Sequence, residues 1–368
     1  MLKKKLKELF KLFLITIFFF ILVDLVFGNY VYKKILRKNY FDLDFGMGMQ
    51  HPIYHHGLKK NYTTHSSGWG KRKFSFCTDN YGFRNSCGYK NKSKYFDIGI
   101  IGDSQTAGFG LTYDEMFSTI ISKKLKNKKI ANLSSPSYAP SIYFSKINYL
   151  LKNGYKFNEI IVFVDVSDFF DDFVRYDFDG EKVLTKNQNW SDENYSYSEK
   201  FMFFMGRNLK VTNYLILNFN DFLIQKKIKQ KKIPHWVMKN PRSMWTYDYK
   251  RKWYLNEDLD VVIDNSVKNM EKLYNLLNKN NISLSVAVFP WPSTLKFDGE
   301  NNLQVKIWKN FCLSRCKTFF NIMQPFFKIK DEIGFRQLYF KYFIDGDIHL
   351  NENGNRIIAE TFLENYNN

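Results

Sequence analysis

Residues 95–104 read YFDIGIIGDS, a short and mostly apolar run that ends in Gly102-Asp103-Ser104. A run of this length and composition is typical of a strand buried on both faces of a parallel sheet. Further short apolar runs follow at Lys129–Leu133, Glu159–Val166 and Ser283–Phe289, and stretches with helical spacing of apolar residues alternate with them. The alternation predicts an α/β fold with a mostly parallel sheet and helices on both faces.

Ligands of such sheets bind at the carboxyl ends of the strands. This rule nominates Gly102–Thr106, Ser134–Ser141 and Asp165–Asp168. Ser104 would project from a sharp turn between a strand and a helix, with backbone N–H groups aimed at a developing oxyanion. A serine nucleophile needs a base within hydrogen-bond reach, and without one Asp103 or Ser104 would serve only as a helix cap.

A second motif near the end of the chain supplies a candidate base. It reads Asp347-Ile348-His349-Leu350-Asn351, and of the six histidines only His349 has such a setting. An aspartate two residues before a histidine can hold the imidazole tautomer while the ring faces the serine. The alternative is structural, with Asp347 as a turn residue and Asn351 as a helix cap. Together the two motifs predict Ser104 as nucleophile, His349 as base and Asp347 as the orienting acid.

Ile101–Ser104 and the late Asp-x-His-x-Asn block resemble the first and last signature blocks of the SGNH/GDSL hydrolases. Tyr81-Gly82-Phe83-Arg84 is similar to a stretch in envelope-associated members linked to bacterial surface polysaccharides. The resemblance covers the chain from about Tyr95 onwards. It implies a three-layer α/β/α fold related to flavodoxin, no cofactor, and acyl-ester chemistry on the predicted triad.

The chain departs from the family pattern in three places. Many family hydrolases carry Asp-x-x-His, whereas this chain has Gly346 at that position and an Asp-x-His spacing similar to the alginate O-acetylation proteins, with Asp345 in reserve. Ser137 is the nearest equivalent of the oxyanion glycine, and Ser167 stands where the oxyanion asparagine would be. With Asp103, these serines complete the predicted oxyanion and substrate-binding set. Loss of one oxyanion donor typically costs about 100- to 1000-fold in rate.

The N-terminus carries a lysine cluster followed by the apolar segment Leu12–Phe27, LFLITIFFFILVDLVF. Sixteen helical residues span roughly 24 Å, slightly less than a hydrocarbon core. The positive-inside rule places everything after Phe27 outside the cytoplasm. We therefore expect residues 1–28 to be a signal anchor, with a secreted protein after signal-peptide cleavage at Val26-Phe27-Gly28 as the alternative. Asp24 is tolerable only near the outer interface or against a partner helix.

The remaining organisation is an extracytoplasmic arm over 29–94, which is expected to be irregular, and a catalytic domain over 95–368, interrupted by an inserted lid or subdomain at about 169–264. The insertion carries Trp190, Trp236, Trp245 and Trp253. Outside the cytoplasm Cys77–Cys87 is a plausible disulfide. Cys312 and Cys316 fall four apart on a helix predicted near 302–316, so the sequence leaves open whether they are bridged or merely buried.

For several other residues, a purely structural role is at least as well supported by the sequence as a functional role. His55-His56 is expected to be a hydrogen-bonded pair in the arm, and Trp291 of Pro290-Trp291-Pro292 either a sugar-stacking rim or plain core. The aspartates of 165–172 are expected to form a solvated acidic loop rather than a cation site. No metal-ligand spacing occurs.

The net charge of +19 raises the question of nucleic acid, but the lysines are spread along the chain and no nucleic-acid-binding motif accompanies them. The partners expected are therefore a glycan or acylated small molecule as substrate, the membrane through the N-terminal helix, and a possible acyl-donor protein in that membrane. The function expected is an esterase or O-acyltransferase acting on acyl, above all acetyl, esters of an envelope glycan. The rival is a weak or inactive SGNH-fold protein for glycan binding or assembly.

Overall fold

The structure, a computed structural model, describes residues 2–32, 35, 45–69, 72–186, 204, 205, 208–229, 232–248 and 258–366. The chain divides into two compact units. The smaller unit comprises Met1–Asp42 with Gln188–Lys232, and the larger comprises Leu43–Asn187 with Ile233–Asn368. Trp190 and Trp253 of the predicted insertion lie outside the described residues, and the predicted domain boundaries stay predictions.

The strands all belong to the larger unit among the residues described. They are β1 (Gly48–His51), β2 (His55–Leu58), β3 (Thr63–Trp69), β4 (Arg72–Cys77), β5 (Tyr95–Gly102), β6 (Ile130–Asn132), β7 (Lys156–Val164), β8 (Tyr176–Phe178), β9 (Val183–Thr185), β10 (Ser283–Val288) and β11 (Thr318–Asn321).

The helices begin with α1 (Leu2–Val31) in the smaller unit. In chain order there follow α2 (Phe117–Lys124), α3 (Pro140–Lys152), α4 (Asp168–Phe170), α5 (Lys210–Lys229), α6 (His235–Met238), α7 (Leu259–Lys279), α8 (Pro292–Phe297), α9 (Leu303–Cys312), α10 (Met323–Ile333), α11 (Phe335–Tyr342) and α12 (Glu352–Tyr366). Helix α5 also belongs to the smaller unit. A π-helical turn, Asp171–Arg175, continues α4, and short 3-10 turns occupy Phe45–Met47, Tyr113–Glu115 and Met244–Thr246.

The central sheet has five parallel strands in the order β11-β10-β7-β5-β6. The chain steps from β5 to the edge strand β6 and returns to β7 on the other side of β5. Because parallel crossovers are right-handed, this reversal sends successive helices to opposite faces of the sheet. Helices α2 and α12 pack together, as do α3 and α7, so helices flank the sheet. The predicted α/β fold is confirmed.

The reversal also creates the crevice in which ligands of this topology bind, between the carboxyl ends of β5 and β7. Gly102 at the end of β5 pairs with Phe163 near the end of β7. The strand interiors are apolar and fully buried, as in Ile100, Ile161 and Val286. The continuous apolar runs in the sequence reflect this burial on both faces.

The arm differs from expectation, because residues 45–77 contain two antiparallel hairpins, β1–β2 and β3–β4, where the sequence indicated irregular structure. Phe74 and Phe76 of β4 pack in a small core with Phe109. Arg84, which is 2% exposed, donates hydrogen bonds to the carbonyls of Ser75, Cys77 and Leu111. A buried guanidinium thus joins the arm to the loop that follows Ser104.

Both cysteine pairs form disulfides. Cys77–Cys87 closes the turn after β4, as the sequence suggested. Cys312–Cys316 is also bridged. The predicted helix over 302–316 ends at Cys312, so the second cysteine lies in the turn beyond the helix and the bridge requires no distortion of helical geometry.

Candidate active site

Ser104, His349 and Asp347 form one chain of hydrogen bonds. The Ser104 Oγ lies 2.9 Å from His349 Nε2. On the other side of the ring, His349 Nδ1 lies 2.5 Å from Asp347 Oδ1. A carboxylate at Nδ1 keeps the proton on that nitrogen, which leaves Nε2 free to accept the serine proton. The structure thus brings together the three residues that the sequence nominated, from positions 245 residues apart.

The Ser104 turn requires the glycine before it. A side chain at Gly102 would come within 2.3 Å of Thr106 Oγ1 and 2.7 Å of the Phe163 carbonyl oxygen on β7. The Asp103 carboxylate accepts a hydrogen bond from the Gln105 N–H at 2.9 Å and fixes the turn locally. The helix expected directly after Ser104 is absent from the described chain: residues 104–110 form turns, and α2 begins only at Phe117.

The His349 block is held in place by an amide from the serine turn. The Leu350 N–H donates to Gln105 Oε1 at 3.1 Å, and Gln105 Nε2 donates to the Ile348 carbonyl at 3.4 Å. The His349 N–H donates to Asp347 Oδ1 at 2.9 Å, which orients the carboxylate towards its own histidine. Gln105, one residue after the nucleophile, therefore fixes the backbone on both sides of the base. This role of Gln105 was not predicted from the sequence.

Trp69, at the end of β3 in the arm, completes the surroundings of Asp347. Its Nε1–H donates to Asp347 Oδ2 at 3.0 Å, and its ring meets the His349 imidazole edge-on at 4.8 Å. Asp347 thereby accepts hydrogen bonds on both oxygens. Asp345, the reserve candidate, is exposed, and Asp347 is the acid at His349 Nδ1. The sequence shows a Gly-Trp-Gly stretch here, but this local pattern does not predict that Trp69 contacts Asp347, 278 positions away.

The charges of the site favour an ion-pair-like His349–Asp347 couple. Burial opposes ionisation of both side chains, but their mutual attraction outweighs it, so the pKa of His349 is raised and the pKa of Asp347 is lowered. Burial, reinforced by the nearby Asp165, raises the pKa of Asp103 to about 7. Asp103 Oδ2 also lies 3.1 Å from Ser104 Oγ, so the single hydroxyl proton of Ser104 has two neighbouring acceptors.

The predicted oxyanion serines are engaged elsewhere. Ser137 has a left-handed backbone, with φ of 59°, and its hydroxyl accepts from Arg175 at 2.9 Å. Ser167 follows β7 and is fully buried, and its hydroxyl donates to Asp165 Oδ1 at 2.7 Å. The same hydroxyl accepts from Arg242 at 2.8 Å. Arg242 comes from the predicted insertion and was not singled out in the sequence.

The acidic residues of 165–172 are buried, and the expected solvated loop is wrong. Each has a hydrogen-bond donor: Trp291 Nε1 for Asp165 at 2.7 Å, the Tyr143 hydroxyl for Asp168 at 2.7 Å, Arg242 for Asp171 at 2.6 Å and Asn269 for Asp172 at 2.9 Å. Buried carboxylates need such partners, which the sequence pattern does not reveal. Among the residues that the structure describes, no cluster suits a metal ion.

Trp291 and the His55-His56 pair have structural roles in the described chain. Trp291 is 1% exposed, so a sugar-stacking rim is excluded and its indole belongs to the core beside Asp165. His55 and His56 form the hydrogen-bonded pair expected, with 2.8 Å between their Nδ1 atoms, and His56 Nε2 contacts the Pro136 carbonyl.

No protein-family model matches the chain, and no curated protein matches it. Among solved structures, the chain is similar to a member of the lipolytic protein G-D-S-L family from Veillonella parvula DSM 2008, with 14% identity, a TM-score of 0.38 and coverage of 73% of this chain and 97% of that one. It is also similar to the psychrotrophic esterase EstA from Pseudoalteromonas sp. inhibited by monoethylphosphonate, with 9% identity, a TM-score of 0.36 and coverage of 75% and 97%. A likeness this distant carries no argument about activity, which rests on the geometry of the chain itself.

Proposed function

We propose that the protein is a serine-dependent esterase or O-acyltransferase whose acyl-enzyme forms on Ser104. The observation that carries the proposal is the continuous hydrogen-bonded chain from Ser104 through His349 to Asp347. His349 takes the serine proton as Oγ attacks the ester carbonyl, and it returns that proton to the leaving alcohol. In the second step His349 deprotonates water or a sugar hydroxyl as that oxygen attacks the acyl carbonyl, and the proton then passes from His349 to Ser104 Oγ as the bond between Oγ and the acyl group breaks.

The substrate proposed is an acyl ester, above all acetyl, of an envelope glycan. Two disulfides in the larger unit support a location outside the reducing cytoplasm. Helix α1 is long and apolar enough to cross a membrane, and lysines precede its apolar stretch, which supports an anchor with the larger unit on the outer side. A net charge of +19 favours proximity to an anionic polymer or lipid.

The second candidate function is glycan binding or assembly without catalysis. It is favoured by the Ser167 hydroxyl, which donates to Asp165 and is therefore not directed at an oxyanion. Asp103, Ser137 and Ser167 stay predictions as oxyanion or substrate contacts. Backbone N–H groups of the Ser104 turn would have to carry most of the oxyanion stabilisation.

The Ser104→Ala substitution tests the nucleophile. We expect at least a 1000-fold loss of turnover on a chromogenic acetyl ester, together with loss of fluorophosphonate labelling, because the Ser104 hydroxyl is the group on which the proposed acyl-enzyme forms. The matched control is Ser283→Ala, at an exposed strand end, which should retain activity and labelling. Unchanged turnover in Ser104→Ala contradicts the assignment. Absence of labelling in the natural protein, with glycan binding intact, selects the second candidate.

A further inference from the structure

Asp24 in the smaller unit caps the second helix of that unit. It lies in the apolar stretch of α1 and is 3% exposed. Its carboxylate accepts hydrogen bonds from the N–H of Val211 at 3.0 Å, from the N–H of Thr212 at 2.7 Å and from the Thr212 hydroxyl at 2.6 Å. Val211 and Thr212 belong to the first turn of α5, whose N–H groups have no acceptor within their own helix. A carboxylate there also interacts favourably with the helix dipole.

The contact continues towards the C-terminal end of α1. A side chain at Gly28 would lie 1.8 Å from Asp24 Oδ1, so any larger residue there would displace the carboxylate from this position. Further along, the rings of Tyr32 and Tyr214 meet edge-on at 6.0 Å. Asp24 and Tyr32 thus contact the first two turns of α5 from the C-terminal part of the α1 segment.

Helix α5 exposes a row of large apolar side chains. Leu215, Phe219, Phe222 and Leu223 are 51%, 61%, 62% and 38% exposed. Their spacing of i, i+4, i+7 and i+8 places them on one face of the helix. The α1 residues near the contact are equally open, and Phe27 is 57% exposed.

We propose that α1 is retained in the mature protein and that α5 lies along the membrane surface, with Leu215, Phe219, Phe222 and Leu223 inserted among the lipid acyl chains. We assign this apolar face to a phospholipid bilayer because α5 belongs to the same compact unit as α1, the helix that is long and apolar enough to cross a membrane. Interfacial helices bury such a face about 5–10 Å into the headgroup boundary, and lysines such as Lys226 keep their ammonium groups in water.

The capping contact also bears on the fate of the N-terminus. Cleavage after Gly28 would remove Asp24 and leave the first turn of α5 without its acceptor. A carboxylate left unpaired in an apolar span would be costly, whereas three hydrogen bonds satisfy it here. The proposal rests on the membrane location given above for the whole protein, so its test must separate the two.

Lipid quenching of a single thiol label provides that test. The natural cysteines are all in disulfides, so a bimane on Phe222→Cys of the full chain is unique. In vesicles of phosphatidylcholine and phosphatidylglycerol with brominated acyl chains, we expect at least twofold stronger quenching at position 222 than at Asn220→Cys, an exposed control on the opposite face. Equal quenching at 220 and 222 overturns the proposal. A label on Phe18→Cys tests α1 separately. If the brominated lipids do not quench that label, the proposal that α1 anchors the protein in the membrane is itself contradicted.

A second experiment addresses the cap. Asp24→Leu makes α1 more apolar, so it would strengthen a simple anchor, but it removes all three acceptor contacts with α5. We expect limited trypsin digestion of the vesicle-bound protein to cut the lysine-rich stretch after Phe222 at least fivefold faster in Asp24→Leu, and Asp24→Asn, which keeps one acceptor oxygen, to remain close to the natural protein. Equal rates in all three, or a mature mass that lacks residues 1–28, would refute the inference.

Discussion

At the scale of single residues, the site depends on which nitrogen of His349 carries its proton. Asp347 Oδ1 receives both the Nδ1 contact and the His349 backbone N–H, so the carboxylate is held by the residue that it orients. Exchange of this acid for an amide keeps the shape of the side chain and removes its charge. The consequence for catalysis is larger than that of a typical hydrogen bond, because the wrong tautomer presents a donor to the serine.

Asp347→Asn should therefore lower kcat on an acetyl ester by about 1000- to 10,000-fold with little change in KM. Asp345→Asn, at an exposed position two residues earlier, is the control and should keep nearly full activity. Steady-state kinetics of both variants, with circular dichroism to verify the fold, decide the matter. Comparable losses in the two variants would mean that Asp347 has no special role.

The pH dependence follows from the direction of the His349 shift. As a base, His349 works only when neutral, and attraction to Asp347 raises its pKa above the ordinary value of 6.5 despite burial. Activity should thus be absent at low pH and rise through a midpoint above 6.5, and kcat/KM profiles would show it. In Asp347→Asn the residual activity should have a lower midpoint, because the negative charge that raises the pKa of His349 is removed. An acid limb below 6.5 in the natural protein would contradict this assignment.

At the scale of elements, strand β3 of the arm contributes to a site otherwise built on the central sheet. Trp69 gives Asp347 its second hydrogen bond, and hydrogen bonds to charged groups are worth about 1.5–3 kcal/mol. The ring also limits the position of the imidazole by an edge-on contact. The β3–β4 hairpin therefore positions Asp347 through Trp69. In the described part of the chain, the hydrogen bonds of the Ser104 hydroxyl are with Asp103 and His349.

Trp69→Phe separates the donor from the ring. It retains an aromatic side chain and removes only the N–H, so we expect a drop in kcat of roughly 10- to 100-fold, in proportion to that hydrogen-bond energy. Trp236→Phe, at a tryptophan that is 40% exposed, is the matched control and should be neutral. Full activity in Trp69→Phe would show that Asp347 needs no partner beyond His349.

At the scale of the whole molecule, the sequence predicted the elements whose residues are buried on both faces. The strand over 95–102 and the strand over 283–288 were predicted within a residue, because parallel strands inside a sheet carry uninterrupted apolar runs. The Ser104 and His349 motifs were likewise legible, since each is a local pattern at the end of an element.

What the sequence did not predict depends on contacts between distant positions. Arg242 reaches Ser167 from 75 residues away, and Trp69 reaches Asp347 from 278 residues away. The arm hairpins were missed because β3, TTHSSGW, has few apolar residues and no regular alternation. Side-chain hydrogen bonds across such separations leave no periodicity, so only the folded chain reveals them.

The distance in sequence between Ser104 and His349 has a consequence for the timing of activity. At synthesis rates of about 5–20 residues per second, the base follows its nucleophile, 245 residues earlier, by roughly 10–50 seconds. Throughout that interval Ser104 is an ordinary alcohol, because an unassisted hydroxyl is a poor nucleophile. A nascent chain therefore does not react with acyl esters. The site becomes reactive only after Gln105 forms its hydrogen bonds with the backbone of Ile348 and Leu350.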